Sequence, residues 1–385
     1  MNAPRILAAV FILLTPPAVF AQSERARDLG IVIGRFSPGP LDAVTDVKGV
    51  KVGHVTLVSG EGRLAPGKGP VRTGVTVILP AEGDLWESKV FAGSFVLNGN
   101  GEATGLMWLQ ESGILETPIA LTNTLSVGAA QQGLVEWMLK SHPGVGVSDD
   151  TLTPVALECD DGALNDIRGR HVKPEHVLQA IDGAAAGPVA EGGVGAGTGM
   201  ISYEFKGGIG TASRALPKDS GGYTLGVLVN ANHGSRATLR IKGAPVGEEI
   251  QDLLPESHHD GSIVVIVATD APLDARQLSR LSKRAMLGLA RTGAVAYHGS
   301  GDVAIAFSTA NRIPHYPKER TLRLEVLSDF HMDDLFEAAA EATEEAVVNA
   351  LLAAKTTVGR DGNTAYALPH DRLKQLLRKY RVVAQ

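Results

Sequence analysis

Residues 256–267 read ESHHDGSIVVIV and join a polar loop directly to an apolar run. The loop ends at Asp260-Gly261, and Ser262 opens a run that continues only with Ile and Val. A short run of β-branched residues without polar alternation is typical of a strand covered on both faces. The sequence therefore predicts a buried strand whose first residue is a serine.

The Gly261–Ser262 peptide bond has a chemical interpretation as well as a structural one. If this bond breaks, Ser262 becomes a new N-terminus that carries both a hydroxyl and an α-amino group. Such an amine titrates at about 7.7–8.0, so near neutral pH it can take the proton of the hydroxyl. The same residues also fit a plain Asp-Gly turn before a core strand. A latent nucleophile and a turn both remain open at this point.

The first residues have the composition of a secretory signal peptide. Arg5 precedes an apolar run over residues 6–19, which Pro16-Pro17 interrupts, and small residues follow up to Ala21. A membrane anchor, the alternative, needs about 20 apolar residues, which is more than this run offers. We therefore predict cleavage after Ala21 and export of a soluble chain, which would be periplasmic in a Gram-negative source.

Composition argues against several classes of protein. The 385 residues carry a formal charge of −6 with scattered Lys and Arg, so we predict no binding to nucleic acid. No segment after the signal peptide is long and apolar enough to span a membrane, so no membrane partner is predicted. The only cysteine, Cys159, cannot form an intrachain disulfide. The histidines lack metal-binding spacing, and the adjacent His258 and His259 are interpreted as a surface loop. The glycine-rich run 191–199 lacks the Gly-Lys-Ser/Thr ending of a phosphate loop and favours close sheet packing or a flexible loop.

Strand and helix patterns alternate along the chain without a low-complexity linker, which predicts stacked sheets enclosed by helices. The Ser126 cap, the Pro174 helix start and the Asp270-Ala271-Pro272 cap mark helix beginnings, and Tyr380 is predicted to face inward on the last helix. The predicted strands cover residues 73–79, 118–122, 223–229, 262–269 and 303–308, and the predicted helices include residues 126–139, 336–351 and 372–381.

Three polar segments could carry chemistry. An amide at the strand end Asn230-Ala231-Asn232 can donate to an oxyanion. The segment 298–302, HGSGD, presents a hydroxyl and a carboxylate close together, and the segment 157–161, LECDD, sets three carboxylates where a cationic amine could bind. Each segment also fits an ordinary turn or cap, because Asn, Asp, Ser and Gly favour turns regardless of chemistry.

Taken together, these segments resemble the β-peptidyl aminopeptidase / L-aminopeptidase–D-esterase family of self-processing N-terminal nucleophile hydrolases. The resemblance implies an α/β fold, a four-layer α/β/β/α sandwich, with self-cleavage and association of the cleaved units into a homo-oligomer. It covers nearly the whole mature chain and is most specific at TNT (122–124), LNDI (164–167), VNAN (229–232), DGSIVV (260–265), ATDAPL (268–273), GSGD (299–302) and AFST (306–309).

The resemblance also implies roles for individual residues. Cleavage would fall between Gly261 and Ser262, and Ser262 would be the catalytic nucleophile. Asn230 would donate to the oxyanion, and Ser300 and Asp302 would hold and tune the new terminal amine.

On the substrate side, the resemblance implies that Glu158 binds the free N-terminal ammonium. Where the family often has an aromatic residue, two positions later, this chain has Asp160. We expect Asp160 to change the shape of the pocket and to take part in binding.

We therefore predict an exported serine aminopeptidase with a signal peptide over residues 1–21 and one catalytic domain over residues 22–385. Self-cleavage would give a larger chain, 22–261, and a smaller one, 262–385. The enzyme would release N-terminal residues, with β-amino acids favoured, from short peptides, amides or esters without a metal or organic cofactor. The alternatives are a D-stereospecific aminopeptidase/esterase, an acetyl-ornithine transferase-like enzyme and, from another class, a periplasmic solute-binding protein that never cleaves itself.

Overall fold

The structure, a computed structural model, describes residues 24–257 and 261–383. The predicted signal peptide and the pair His258-His259 lie outside the described residues, as does Asp260. The strands are β1 (Lys51–Ser59), β2 (Val71–Leu79), β3 (Ser88–Gly99), β4 (Ile114–Leu115), β5 (Ile119–Asn123), β6 (Val155–Cys159), β7 (Ile201–Ser202), β8 (Phe205–Lys206), β9 (Gly208–Ala215), β10 (Thr224–Asn232), β11 (Ser262–Thr269), β12 (Gly301–Pro314), β13 (Thr357–Val358) and β14 (Thr364–Ala365). The helices are α1 (Leu106–Ser112), α2 (Val127–Ser141), α3 (Pro174–Asp182), α4 (Val246–Glu249), α5 (Ala275–Arg291), α6 (Asp333–Ala353) and α7 (His370–Lys379).

Two sheets form the centre of the molecule. The smaller has the strand order β1-β2-β5-β6, and the larger has the order β4-β3-β12-β11-β10-β9. Strand β11 lies inside the larger sheet, antiparallel to β10 and parallel to β12. An apolar cluster unites the facing sides of both sheets, including Leu121 and Leu157 from one and Leu228, Ile266 and Phe307 from the other. The mixed α/β class predicted from the sequence is confirmed.

Helices cover the sides of the sheets that do not share this cluster. Helices α2 and α3 pack on the smaller sheet, and α5 and α6 pack on the larger one. Along β11, Val265 and Val267 belong to the helix-side cluster, whereas Val264 and Ile266 belong to the cluster between the sheets. Because side chains alternate along a strand, Ser262 faces the smaller sheet together with Val264. None of the helices within 24–257 and 261–383 is long and apolar enough to cross a membrane.

The glycine-rich segment 191–199 packs closely against both sheets. A methyl group on Gly197 would lie 2.5 Å from the Ile209 nitrogen in β9, and one on Gly199 would lie 2.3 Å from the Arg72 carbonyl oxygen in β2. Gly195 has a φ of +52°, which favours glycine. These glycines therefore serve close backbone packing, which was one of the two predicted interpretations.

Strand β11 has the predicted bounds, but two other local predictions were wrong. Helix α5 is capped by Asp274, whose side chain accepts from the Gln277 nitrogen, while Asp270 accepts from the Thr224 nitrogen at 2.7 Å. Asp274 rather than Asp270 forms the cap, because the helix begins only at Ala275, after the chain has passed Pro272. Tyr380 does not face inward: it is 40 % exposed, because its hydroxyl donates to Glu249 at the surface.

Candidate active site

Ser262 lies at the start of β11, enclosed between neighbouring strands. The residue is only 5 % exposed, and its Oγ accepts a hydrogen bond from the Gly301 nitrogen at 3.2 Å. Ser262 is paired across the sheet with Asn232. The preceding residue, Gly261, lies so close to β10 that a methyl group on it would overlap the Asn232 carbonyl oxygen. Glycine is thus required at this position by close backbone approach.

Ser300 and Asp302 flank the same point from the start of β12. Ser300 Oγ donates to Asp302 Oδ1 at 2.7 Å, and Asp302 is paired with Ile263 between the parallel strands β12 and β11. Burial raises the pKa of Asp302 to about 6. Its second oxygen, Oδ2, is buried and has no hydrogen-bond partner within the part of the chain that the structure describes. Asp302 is therefore paired with the residue that follows Ser262, and one of its carboxylate oxygens is free to accept a further hydrogen bond.

The two asparagines of β10 differ in how their side chains are used. Asn232 is fully engaged, because its Oδ1 accepts from the Ile201 nitrogen at 2.8 Å and its Nδ2 donates to the Asp160 carbonyl oxygen at 2.9 Å. Asn230 is completely buried, and neither atom of its amide has a partner among the described residues. Both asparagines share the face of Ser262 through the sheet register. Of the two, Asn230 is the one whose amide makes no hydrogen bond within the described residues.

Glu158 lies at the end of β6, in the smaller sheet. One carboxylate oxygen accepts from the Glu102 nitrogen at 3.0 Å, and the other accepts from the Thr124 hydroxyl. Burial is the main cause that raises its pKa, and the nearby charges of Asp160 and Glu102 act in the same direction. A buried carboxylate with this environment gains from a cationic partner.

Gly101 brings the Glu158 carboxylate close to the start of β12. A methyl group on Gly101 would lie 2.7 Å from Glu158 Oε1 and 3.8 Å from Gly301 Cα. The Gly301 nitrogen is in turn the donor to Ser262 Oγ. Through Gly101, the Glu158 carboxylate thus lies near the start of β12, which carries the donor to Ser262 Oγ.

The other two carboxylates of the LECDD segment make local contacts. The half-buried Asp160 uses its Oδ1 to accept from the Gly162 nitrogen at 2.7 Å. Asp161 is completely buried, and its oxygens accept from Asn123 and Asn165. Burial raises the pKa of Asp161 to about 7. Glu158 is therefore the carboxylate of the three that lies near the start of β12.

Sequence reasoning assigned no role to Thr124 or Gly101, although both lie against the Glu158 carboxylate. A signal for Thr124 was present, because β5 and β6 are parallel and parallel strands end at the same edge of a sheet. Thr124 directly follows β5, and Glu158 lies near the end of β6. Gly101 follows β3 in a loop, and no local pattern connects it to Glu158.

Metal ligands do not converge in the described part of the chain. Within residues 24–257 and 261–383, no three or more His, Cys, Asp or Glu side chains are placed to hold an ion. Cys159 is buried, its Sγ lies 3.6 Å from the Asn230 carbonyl oxygen, and burial raises its pKa well above the usual range. The site is built from hydroxyl, amide and carboxylate groups.

Comparisons with known proteins find similar sequences and solved structures. The chain is 47 % identical to the "Beta-peptidyl aminopeptidase BapA" of Sphingosinicella microcystinivorans over 99 % of this chain and 98 % of the relative. A beta-aminopeptidase structure from Burkholderia sp. superposes with a TM-score of 0.87 at 48 % identity, covering 92 % of this chain and 99 % of that one. A third match is the structure of an L-aminopeptidase D-Ala-esterase/amidase from Ochrobactrum anthropi, described as a prototype of the serine aminopeptidases and a variant of the Ntn hydrolase fold. It superposes with a TM-score of 0.87 at 44 % identity, covering 94 % of this chain and 99 % of that one.

The fold and these matches define a serine aminopeptidase, a hydrolase acting on peptides or amides. The model of peptidase family S58 matches residues 42–365, and the chain belongs to this family.

Proposed function

We propose that this chain is an exported aminopeptidase that cleaves itself before Ser262 and then uses Ser262 as an N-terminal nucleophile. The observation that carries the proposal is the position of Ser262 at the first residue of β11, where its Oγ accepts from the Gly301 nitrogen and Asp302 lies on the paired start of β12. A terminal amine formed at Ser262 would meet the Asp302 carboxylate. Cleavage would divide the single domain, 22–385, into chains 22–261 and 262–385.

Turnover would proceed in two steps. The Ser262 hydroxyl attacks the first carbonyl carbon of the substrate while the Ser262 amine accepts the hydroxyl proton, and that proton then passes to the departing amine or alcohol. The Asn230 amide donates to the oxyanion during the attack. Water then hydrolyses the acyl-enzyme and restores the hydroxyl. Ser300 and Asp302 hold the terminal amine in place throughout this cycle.

Specificity for a free N-terminus would come from Glu158. Its buried carboxylate accepts from the Glu102 nitrogen and the Thr124 hydroxyl. Because burial disfavours an unpaired negative charge, a substrate ammonium would be stabilised here by a charge-assisted hydrogen bond to Glu158. Asp160 adds negative charge beside Glu158, so its replacement of an aromatic residue makes this pocket more acidic and more open.

β-Amino acid residues are the proposed substrates. Two of the similar proteins carry β-peptidyl aminopeptidase or beta-aminopeptidase in their names. The second candidate, a D-stereospecific aminopeptidase/esterase, is favoured by the similarity to the Ochrobactrum enzyme. Turnover of matched β-, D- and L-amino acid amides decides between them, and the proposal expects the highest kcat/KM for a β-amino acid amide.

The wider organisation follows from the same proposal. The two sheets and their outer helices fit a four-layer α/β/β/α order, with the apolar cluster between the sheets as its centre. Residues 1–21 would direct the chain to the periplasm and be removed. The cleaved units would then associate into a homo-oligomer.

Two substitutions at one residue test the proposal. Ser262→Ala should abolish both self-cleavage and turnover, because the same hydroxyl serves both reactions. Ser262→Cys should still cleave, because a thiol can perform the same acyl shift. A denaturing gel with N-terminal sequencing measures self-cleavage, and hydrolysis of a β-amino acid amide measures turnover. Full activity of Ser262→Ala would assign the chemistry to another nucleophile.

A further inference from the structure

A surface segment between β12 and α6 is attached to the rest of the molecule along one side only. Residues 322–328 contain no helix, turn or bend. The Asn311 side chain exchanges hydrogen bonds with the backbone nitrogen and oxygen of Glu325, and the Leu327 nitrogen donates to the Pro272 carbonyl oxygen at 2.8 Å. Backbone bonds at every second residue are typical of an extended chain at the edge of a sheet.

The opposite side of this segment is a free edge, formed by residues 322–326. In an extended chain the N–H and C=O groups of successive residues point to opposite sides, so those of Leu322, Leu324 and Val326 point away from Asn311. These three residues make no backbone hydrogen bond within 24–257 and 261–383. A row of unpaired N–H and C=O groups is a template on which another strand can pair.

The side chains of the free edge alternate between apolar and charged. Leu322, Leu324 and Val326 are 43 %, 41 % and 46 % exposed, which is a large exposure for three neighbouring apolar residues of one face. Arg323 and Glu325 lie between them and are also exposed. Neither charged side chain has an ion pair or a hydrogen bond in the described part of the chain. The free edge thus carries two unpaired opposite charges and an unpaired apolar row.

We propose that the free edge pairs with the free edge of a second copy of this chain, antiparallel about a two-fold axis through Leu324. Leu324 then opposes the partner's Leu324, and Leu322 opposes the partner's Val326 on the same face. On the other face Arg323 opposes the partner's Glu325. This inference rests on the self-association included in the proposed function, and it assigns a surface to it.

The register follows from the charges and from the backbone. A two-fold axis through Leu322 would set Glu325 against the partner's Glu319, and like charges directly opposite each other destabilise a strand pair. An axis through Val326 would set Glu325 against the partner's Leu327 and leave the carboxylate without a cationic neighbour. Axes through the residues between these positions would need backbone groups that face the body of the molecule. Only the axis through Leu324 matches apolar with apolar and positive with negative.

The proposed contact closes on itself. In an antiparallel pair, each hydrogen-bonded pair of residues exchanges two backbone bonds, and the free edge supplies such pairs at Leu322, Leu324 and Val326. Because both copies use the same edge, no unpaired edge remains to recruit a third copy there. A two-fold contact of this kind therefore produces a defined assembly instead of an open fibre.

Cysteine cross-linking tests the register. The two Leu324 Cα atoms would lie about 5.5 Å apart, a distance that a disulfide spans. Purified Leu324→Cys protein under mild oxidation should therefore give a linked dimer of the chain that carries residue 324, seen on a non-reducing denaturing gel. Leu322→Cys is the matched control, because it is similarly exposed but would lie about 14 Å from its own copy. Cys159 is buried and should not react.

Charge reversal tests the pairing of Arg323 with Glu325. Arg323→Glu and Glu325→Arg each create two pairs of like charges per dimer, so the dissociation constant measured by sedimentation should rise about tenfold. The double variant exchanges the signs and should restore the parent value. Arg320→Glu is the control, because this residue would oppose the uncharged Ser328 of the partner subunit, and its dissociation constant should equal that of the parent.

Several results would overturn the inference in a parent protein that self-associates: no linking of Leu324→Cys, equal linking of Leu322→Cys, or a double charge variant as weak as the single ones. A disulfide between Leu324→Cys and an unrelated protein would assign the edge to another occupant and overturn it too. A monomeric parent refutes both this contact and the proposed self-association. Self-cleavage before Ser262 is read separately on the same gels, so an uncut active parent refutes the proposed function whatever the cross-linking shows.

Discussion

Asn230 offers a substitution whose effects on activity and on stability should diverge. Its amide is completely buried with both polar atoms unpartnered among the described residues. Each such group costs about 1–3 kcal/mol, so Asn230→Ala should leave the free energy of unfolding unchanged or raise it. An oxyanion donor contributes about 10²- to 10³-fold in kcat. Asn230→Ala should therefore lose activity by this factor without losing stability.

Asn232→Ala is the matched control, because Asn232 lies on the same strand and face. Its amide oxygen accepts a hydrogen bond from the Ile201 nitrogen, and its amide nitrogen donates to the Asp160 carbonyl oxygen. Removing that amide leaves both partners unpaired, so the free energy of unfolding should fall by about 1–3 kcal/mol.

Two assays separate the effects. Chemical unfolding is measured in a Ser262→Ala background, where no variant should cleave itself and all chains are covalently alike. The kcat for a β-amino acid amide is measured in the Ser262 background per free Ser262 terminus, which corrects for slower self-cleavage. If Asn230→Ala destabilises as much as Asn232→Ala and keeps its kcat, Asn230 is a structural residue and the oxyanion assignment is wrong.

Three further substitutions test other parts of the site. Glu158→Gln should cleave itself normally yet lower kcat/KM by about ten- to a hundredfold, as expected from losing a charge-assisted bond, and it should narrow the preference for free over N-acetylated substrates. Burial raises the pKa of Asp302 to about 6, so the folded chain favours the protonated form of this carboxyl group. The protonated form therefore contributes most to stability below the usual pKa of an aspartate, and this contribution is lost as pH rises through about 6. Self-cleavage, which we expect to need the carboxylate, should accelerate over that same rise in a time course on freshly translated chain, and Asp302→Asn should remove this dependence. Gly261→Ala should fail to cleave in a gel assay, because its methyl group would overlap the Asn232 carbonyl oxygen.

The fold was predictable where a pattern is local. The apolar run after Ser262 gave the bounds of β11, because β-branched residues without polar alternation fit a doubly covered strand. The start of α5 was not predictable in the same way. Asp270 and Asp274 are both acceptable caps, and the choice depends on the Thr224 nitrogen, which reaches Asp270 from another strand.

The site follows the same division. The residue types at 230, 262, 300 and 302 marked the candidate chemistry, but the difference between Asn230 and Asn232 was invisible in the sequence. It arises from Ile201 and Asp160, which are distant in the chain and meet Asn232 only in the folded structure.

The most direct test of the central claim is the intact mass and N-terminal sequence of the purified, active protein. The account predicts two chains that co-purify without denaturant, covering residues 22–261 and 262–385, with the smaller beginning Ser-Ile-Val-Val. It also predicts that Ser262→Ala remains a single chain. A fully active parent protein with Ser262 still inside one uncut chain would contradict the account.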